Sequence, residues 1–348
     1  MSRTKVDVIT VGRVSMDLFA QNIGAPFEEI SGFDTSVGGS PTNIAIGCAR
    51  LGLRTGLLTA VGDDLVGKLV IHRLKQENVE TGYIPVKADT QTGLAIVGVQ
   101  PPDRFPLEFY RNNPADIHLT IDDAAALPLV DSRALLLSGT ALARGTCRDV
   151  TYYLAERART MQVTTFMDLD LRRDQWTHPA AFGVAIRSIV SKLDVVIGTE
   201  EEFHAVWGAD DESTPRGGAI SESQRAELDV ALKAYQAKHT CPSVFVVKRG
   251  ARGVNLLSSD FGSIHIPGFE VDVLNTVGAG DAFASGLLYG CIHGLDWTEC
   301  ARLGNACGAI VVTRNGCSQA LPHENEVLEF VAARSSHCTP HRLEAGRI

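Results

Sequence analysis

The sequence predicts an α/β fold: a mainly parallel sheet covered by helices on both faces. Three observations predict it. Between residues 130 and 285, short apolar runs alternate with segments of helical period, the rhythm of repeated βαβ units. Apolar runs end in glycine or acid, as at Gly12, Asp168 and Gly198, and ligands of open α/β sheets sit at such strand ends. The third is scale: 348 residues, 45% hydrophobic and 21% charged, give enough chain for one large domain or two smaller ones.

The net charge of -9 gives no basis for a nucleic-acid or anionic-membrane surface. None of the eight cysteines forms a CxxC pair, so buried free thiols are expected rather than a disulfide framework or a zinc site. There is no signal-like apolar segment and no run of bilayer length, which makes a cytoplasmic location without a membrane partner the expectation.

In chain order, a buried strand over 6–11 ends at Gly12, and Asp17 follows a short turn. Asp17 is either a turn carboxylate or an acceptor for sugar hydroxyls at the carboxyl end of a central strand. Residues 18–36 alternate too weakly to assign. Gly38-Gly39-Ser40-Pro41-Thr42-Asn43 opens a helix that Gly52 ends. The paired glycines admit a ligand against the backbone. Asn43 either caps the helix or hydrogen-bonds a polyol, since it both donates and accepts.

A strand over 55–61 and an amphipathic helix over 65–76 come next. Gly62 to Lys68 has the spacing of a phosphate loop, but Leu69 replaces its Ser/Thr and Asp63 and Asp64 would repel phosphates, so it is excluded. Strands over 92–100 and 107–110, joined by Pro101-Pro102-Asp103, make a hairpin that breaks the alternation and is a candidate lid. Arg111 ends it, either as a solvated edge residue or as a guanidinium presented to an acid.

Strands over 134–138, 163–167 and 195–198 and a helix over 148–159 follow, with Asp168 to Arg172 at a strand end. Thr199-Glu200-Glu201-Glu202 opens a helix. Its acids suit the dipole, and the sharper reading gives Glu201 a hydrated Mg²⁺. Residues 208–227 read as a polar surface loop. Strands over 243–248 and 254–257 flank Lys248-Arg249-Gly250-Ala251-Arg252-Gly253, either a plain hairpin or a nucleotide edge with Lys248 near phosphates. A strand-like run covers 263–273. Residues 287–313 are helical and apolar, and Asn305 inside them either caps a neighbour or reaches an adenine. Beyond 335 there is no periodicity, and a mobile tail is expected.

The richest stretch is Asn275-Thr276-Val277-Gly278-Ala279-Gly280-Asp281-Ala282-Phe283. Glycines at a strand-to-helix turn let a ligand touch the backbone, and first-turn amides favour negative charge. Asp281 would repel a resting phosphate there. Taking a proton from an attacking hydroxyl gives it a reason to be present. The plainer alternative is a turn before a capped helix. A dinucleotide fingerprint is the weaker rival, because it wants a small residue where Phe283 stands and normally opens a domain.

Gly38 to Asn43 followed by Leu51-Gly52, and Thr276 to Asp281, resemble the two signatures of the PfkB or ribokinase-like carbohydrate kinases. The resemblance covers about residues 6–330. It implies a Rossmann-like αβα sandwich in a single domain over 1–335, with a small β lid from about 13–36 and 91–115. It implies phosphorylation of a hydroxyl with ATP and Mg²⁺. By motif, Asp281 would be the base and Gly278, Ala279 and Gly280 the anion hole. Asp17, Gly39 and Asn43 would hold substrate, and Lys248, Gly250, Gly253 and Asn305 would lie near the nucleotide. The family's Asp before Thr276 is Asn275 here, which counts against the monovalent-cation site often built there. Its Asn-x-x-Glu motif is read as Gly198-Thr199-Glu200-Glu201. A family lid often packs against its neighbour's, which makes a homodimer through the lid an expectation.

Within the family, residues 110–116, 138–143, 198–203 and 314–318 look like the bacterial 5-dehydro-2-deoxygluconokinases of inositol catabolism. Such a substrate is an anion, and Arg111 and Arg172 are expected to clamp its carboxylate. The rivals are a 2-keto-3-deoxygluconate kinase, another PfkB sugar kinase and a catalytically silent sugar-acid sensor. A pure binder needs no base, so Gly278 to Asp281 argues against the last.

Overall fold

The computed structural model describes residues 6–100, 104–208, 220–334 and 341–342. Its first part runs β1 (Val6–Val11), β2 (Ser15–Ala20), β3 (Phe33–Gly38), α1 (Ser40–Arg50), β4 (Thr55–Leu58), β5 (Val61–Gly62), α2 (Leu65–Gln76), β6 (Val86–Lys87), β7 (Gly93–Val97) and β8 (Leu107–Tyr110). There follow α3 (Ile121–Ala125), β9 (Ser132–Ser138), α4 (Cys147–Thr160), β10 (Thr164–Asp168), α5 (Pro179–Ile189), β11 (Val195–Thr199), α6 (Glu200–Trp207) and α7 (Glu222–Gln236). The last part holds β12 (Val244–Lys248), β13 (Val254–Ser258), β14 (Gly262–Ile266), α8 (Ala279–Ile292), α9 (Trp297–Val312), α10 (Glu324–Ala333) and β15 (His341–Arg342).

Nine strands form the main sheet in the order β15-β14-β13-β12-β11-β10-β9-β1-β4. From β12 to β4 every pair is parallel, and β13, β14 and β15 add antiparallel strands at one edge. Alternate residues of each parallel strand enter opposite cores. Val8, Ala134, Leu136 and Val246 pack with Ile44 of α1, Leu287 of α8 and Leu303 of α9. Ile9, Leu135, Leu137 and Phe245 pack with Leu154 of α4, Phe182 of α5 and Phe203 of α6. Burial on both faces is why these strands read as continuous apolar runs rather than alternating ones. The expected α/β sandwich is therefore present.

The order of strands positions the site. From β1 the chain crosses to β4 on one side and later returns to β9 on the other. An open α/β sheet leaves a crevice at such a reversal, beyond the carboxyl ends of its strands. A second sheet, β3-β2-β7-β8, stands over that crevice. Its β2 and β7 run parallel, and its outer pairs are antiparallel.

Several expectations are corrected. Residues 18–36 contain the end of β2 and most of β3, where exposure at Phe33 and Asp34 and half-burial at Asp17 and Leu18 blur any alternation. The run over 263–273 is a strand only to Ile266. The helical region 287–313 is two helices broken at Gly294, whose φ is 73°. Residues 222–227 open α7, capped by Ser221, rather than continuing a loop. Asp64 caps α2 by accepting from Gly67 N at 2.6 Å, the role left to it once the phosphate loop is excluded. The Pro101-Pro102-Asp103 turn lies outside the described residues, as does the tail apart from 341–342. Among the described residues, no helix is long and apolar enough to cross a membrane.

Candidate active site

Between the second sheet, the expected lid, and the carboxyl ends of the main strands lies a cleft of about 270 Å³. At one end is the start of α8. Gly278 is its N-cap, with φ 84°, a conformation costly for other residues, and any side chain there would also meet Cys317 Sγ at 3.0 Å. Asp281 falls in the first turn and faces the cleft. Its Oδ2 accepts from Asn43 Nδ2 at 2.7 Å, and the same nitrogen reaches Cys317 Sγ at 3.1 Å. Asn43 Oδ1 is buried without a partner among the described residues, so it is free to accept from a ligand. Burial pushes the Asp281 carboxyl above its usual range; Asn43 opposes this, and the Asp170 charge adds to it.

Lys248 ends β12 beside this helix. A methyl group added at Gly280 would come within 3.1 Å of its Nζ, so the ammonium overhangs the first-turn amides of α8. It is paired with Asp168 at 3.3 Å. Burial pushes Asp168 up to about 7 despite Lys248. Helix amides plus a close ammonium make an anion-binding corner.

The other end of the cleft is lined by Arg13, Asp17, Asp170 and Arg172, with Phe105, Leu107 and Phe109 of the lid above. Asp17 is not at the end of a main strand as expected but within β2 of the lid sheet. Its Oδ1 accepts from Ser15 Oγ at 2.7 Å. Burial pushes its carboxyl up. Gly39 has φ 101°, and a side chain there would meet the Arg13 carbonyl at 2.5 Å. Asp170 accepts from Thr140 Oγ1 at 2.6 Å and Ser138 Oγ at 3.2 Å, and pairs with Arg172 at 2.9 Å. Burial alone would raise it, but Arg172 and Arg13 outweigh that and hold its carboxyl below the usual range.

Several expected residues are elsewhere. Arg111 is neither solvated nor in the cleft. It is buried behind it, with Nη2 on both oxygens of Asp116 at 2.8 and 2.9 Å and Nη1 donating to the Val14 carbonyl at 3.0 Å. These bonds occupy the fork that a ligand would need. Glu201 pairs with Arg173 at 2.7 Å, outside the cleft, and Glu202 takes the lining position. Glu202 accepts from Leu171 N at 2.9 Å and Thr199 N at 2.7 Å. Thr199 and Glu202 form a capping box, and that T-x-x-E pattern was the signal that would have shifted the motif by one residue. Gly250 and Gly253 shape the turn between β12 and β13, and Asn305 donates to the Ile266 and Pro267 carbonyls at 3.3 and 3.0 Å. None of these three lines the cleft. Arg13 is the lining residue that sequence reasoning did not single out, and Asp170 lay in the marked strand-end stretch Asp168 to Arg172 without a role of its own.

Asn275, buried at the base of the glycine turn, accepts from Val277 N at 2.9 Å and donates to the Gly316 carbonyl at 3.3 Å. Its neutral amide thus joins two loops at the point where the motif otherwise carries an acid.

The family model described as pfkB family carbohydrate kinase matches residues 5–324. A 5-dehydro-2-deoxygluconokinase of Bacillus anthracis is 36% identical over 327 residues, 93% of this chain and 94% of that one. A PfkB protein from Polaromonas sp. JS666 superposes with a TM-score of 0.74 at 27% identity, covering 93% of this chain and 99% of that chain. A putative Ribokinase II from E. coli, solved in complex with ATP and Mg²⁺, gives 0.80 at 23% identity, covering 94% and 99%. The chain belongs to the pfkB family of carbohydrate kinases.

Proposed function

We propose that the protein transfers the γ-phosphoryl group of ATP to the terminal hydroxyl of 5-dehydro-2-deoxy-D-gluconate, a step of myo-inositol catabolism. The observation that carries the reading is the half-buried Asp281 at the start of α8, facing the cleft and held by Asn43 beside an anion-binding corner. The relative of the same activity at 36% identity supports the substrate. Arg172 in the cleft supports an acid over a neutral sugar.

In this reading the substrate hydroxyl lies against Asp281 and accepts its orientation from Asn43, whose Oδ1 has an acceptor site to spare. Asp281 takes the hydroxyl proton as the oxygen attacks phosphorus. The amides of Gly278, Ala279 and Gly280 and the Lys248 ammonium meet the charge on the transferred group. Positioning and charge neutralisation account for most of the rate. Asp17 and Gly39 border the sugar. The nucleotide extends along the edge formed by Lys248, Gly250, Gly253 and the turn that Asn305 holds.

Among the described residues no cluster of three or more His, Cys, Asp or Glu side chains is placed to hold a metal ion. That suits magnesium, which arrives on nucleotide phosphates and takes one or two protein carboxylates, often through water. Glu202 is the carboxylate that fits. The ion would neutralise phosphate charge. A cytoplasmic enzyme, dimeric through its lid, completes the reading.

The test is product analysis after incubation with Mg-ATP. Mass spectrometry and ³¹P NMR should show one phosphoryl group on the terminal oxygen of the acid, with one ADP per product. Absence of phosphorylated 5-dehydro-2-deoxygluconate would sink the proposal. Faster conversion of 2-keto-3-deoxygluconate would move it to that acid, which Arg172 suits equally.

A further inference from the structure

Arg13 follows β1 with its backbone clamped. Its carbonyl accepts from Thr42 Oγ1 at 3.0 Å and packs against Gly39. The side chain is 9% exposed and turns into the cleft. There one carboxylate serves two guanidinium groups: Arg172 Nε is 2.9 Å from Asp170 Oδ1, and Arg13 Nε is 3.7 Å from Oδ2. At that distance the Arg13 contact is an ion pair without a hydrogen bond. Oδ2 already accepts from Thr140 and Ser138. Arg13 Nε and Nη1 are buried with no hydrogen-bond partner among the described residues. The ring of Phe109, from the lid, lies 5.6 Å from its guanidinium carbon.

A buried donor left unpaired is costly, and a buried charge more so, unless a ligand completes it. The shape of what is missing follows from the group. A guanidinium presents a planar fork that matches a carboxylate.

We infer that Arg13, held between Asp170 and the lid ring of Phe109, is a specificity residue that binds the substrate carboxylate together with Arg172. This rests on the sugar-acid reading above. Arg13 thereby takes the part that sequence reasoning gave to Arg111. The Phe109 ring over the same guanidinium brings the second sheet into contact with the acid-binding group.

The experiment compares wild type, Arg13→Gln and Arg13→Lys at saturating Mg-ATP. The ligands are 5-dehydro-2-deoxygluconate and a neutral sugar followed as substrate or competitive inhibitor. Wild-type preference for the acid tests the substrate reading by itself, before any variant is made. In Arg13→Gln the KM for the acid should rise about 100-fold, the loss expected for charge-assisted bonds. The KM for ATP and the constant for the neutral sugar should stay within a few-fold. Arg13→Lys should recover part of the acid affinity through its charge alone. An unchanged acid KM would overturn the inference. So would an equal rise for acid, neutral sugar and ATP, which is the mark of a purely structural arginine. Calorimetric binding of the acid without ATP gives a second readout: a loss of the same size supports the inference, and an unchanged Kd overturns it.

Discussion

At the proposed phosphoryl end of the cleft, Asp281 and its glycines come from one run of consecutive residues, 275–283; at the proposed acid end, Arg13, Asp17, Asp170 and Arg172 come from separate loops and a strand of the second sheet. The first end encodes its own geometry, because a strand-to-helix turn with Gly278 at positive φ has few conformations. The second end depends on which residues of distant segments face inward. Sequence reasoning singled out the first as one motif; at the second it named Arg172, which lines the cleft, and Arg111, which does not. A contiguous motif therefore carries a site in itself, whereas a dispersed site is carried by the fold.

The largest expected effect falls at the contiguous end. Asp281→Asn should lower kcat about 10³-fold with little change in ATP affinity, the range of a lost general base. Retention of more than a few per cent of activity would remove Asp281 from the chemistry. Next in size is Arg111→Gln, which leaves the Asp116 charge buried and unpaired. It should destabilise the protein by about 3–5 kcal/mol, seen as a lower Tm, without an acid-specific change in KM. A stable variant with weakened acid binding would return Arg111 to the site and erase the contrast drawn above.

Lys248→Met tests whether the phosphoryl end extends beyond its motif. A kcat lowered about 10²-fold with unchanged KM for the acid is the expected outcome, as for other lost donors to developing charge. A rise in acid KM instead would place Lys248 at the other end. A smaller effect concerns pH. Activity requires ionised Asp281, whose carboxyl burial raises, so kcat should fall as pH drops through a value above the usual carboxylate range. Asn43 donates to the ionised form and lowers it. Asn43→Leu should therefore move the acid limb to higher pH, and a limb shifted downward would contradict the hydrogen bond's role. The smallest expected change is in hydrogen exchange: the acid should slow exchange in 91–100 and 104–115 as the lid closes, and unchanged exchange there would separate the lid from substrate binding.

Most of the main sheet was legible, since strands buried on both faces leave short apolar runs, and β8 and α2 were bounded to the residue. The lid was half legible. Its hairpin β7–β8 stood out, whereas β2 and β3 did not, because each mixes buried and exposed positions without a period of two. Glu201 and Glu202 show the same limit at the scale of one residue. Adjacent residues on α6 point about 100° apart, and only the capping box fixed which one meets the cleft. Arg13 and Arg111 are both buried and differ in their pairing, which no local pattern records.

The most direct test of the account is the wild-type ratio of kcat/KM for 5-dehydro-2-deoxygluconate against fructose and ribose, followed by ADP release with Mg-ATP. A preference for the acid of about 100-fold or more is expected, the scale of paired charge at one end of the cleft. Equal or faster turnover of the neutral sugars would contradict it, leaving a pfkB-family kinase whose arginines serve the fold alone.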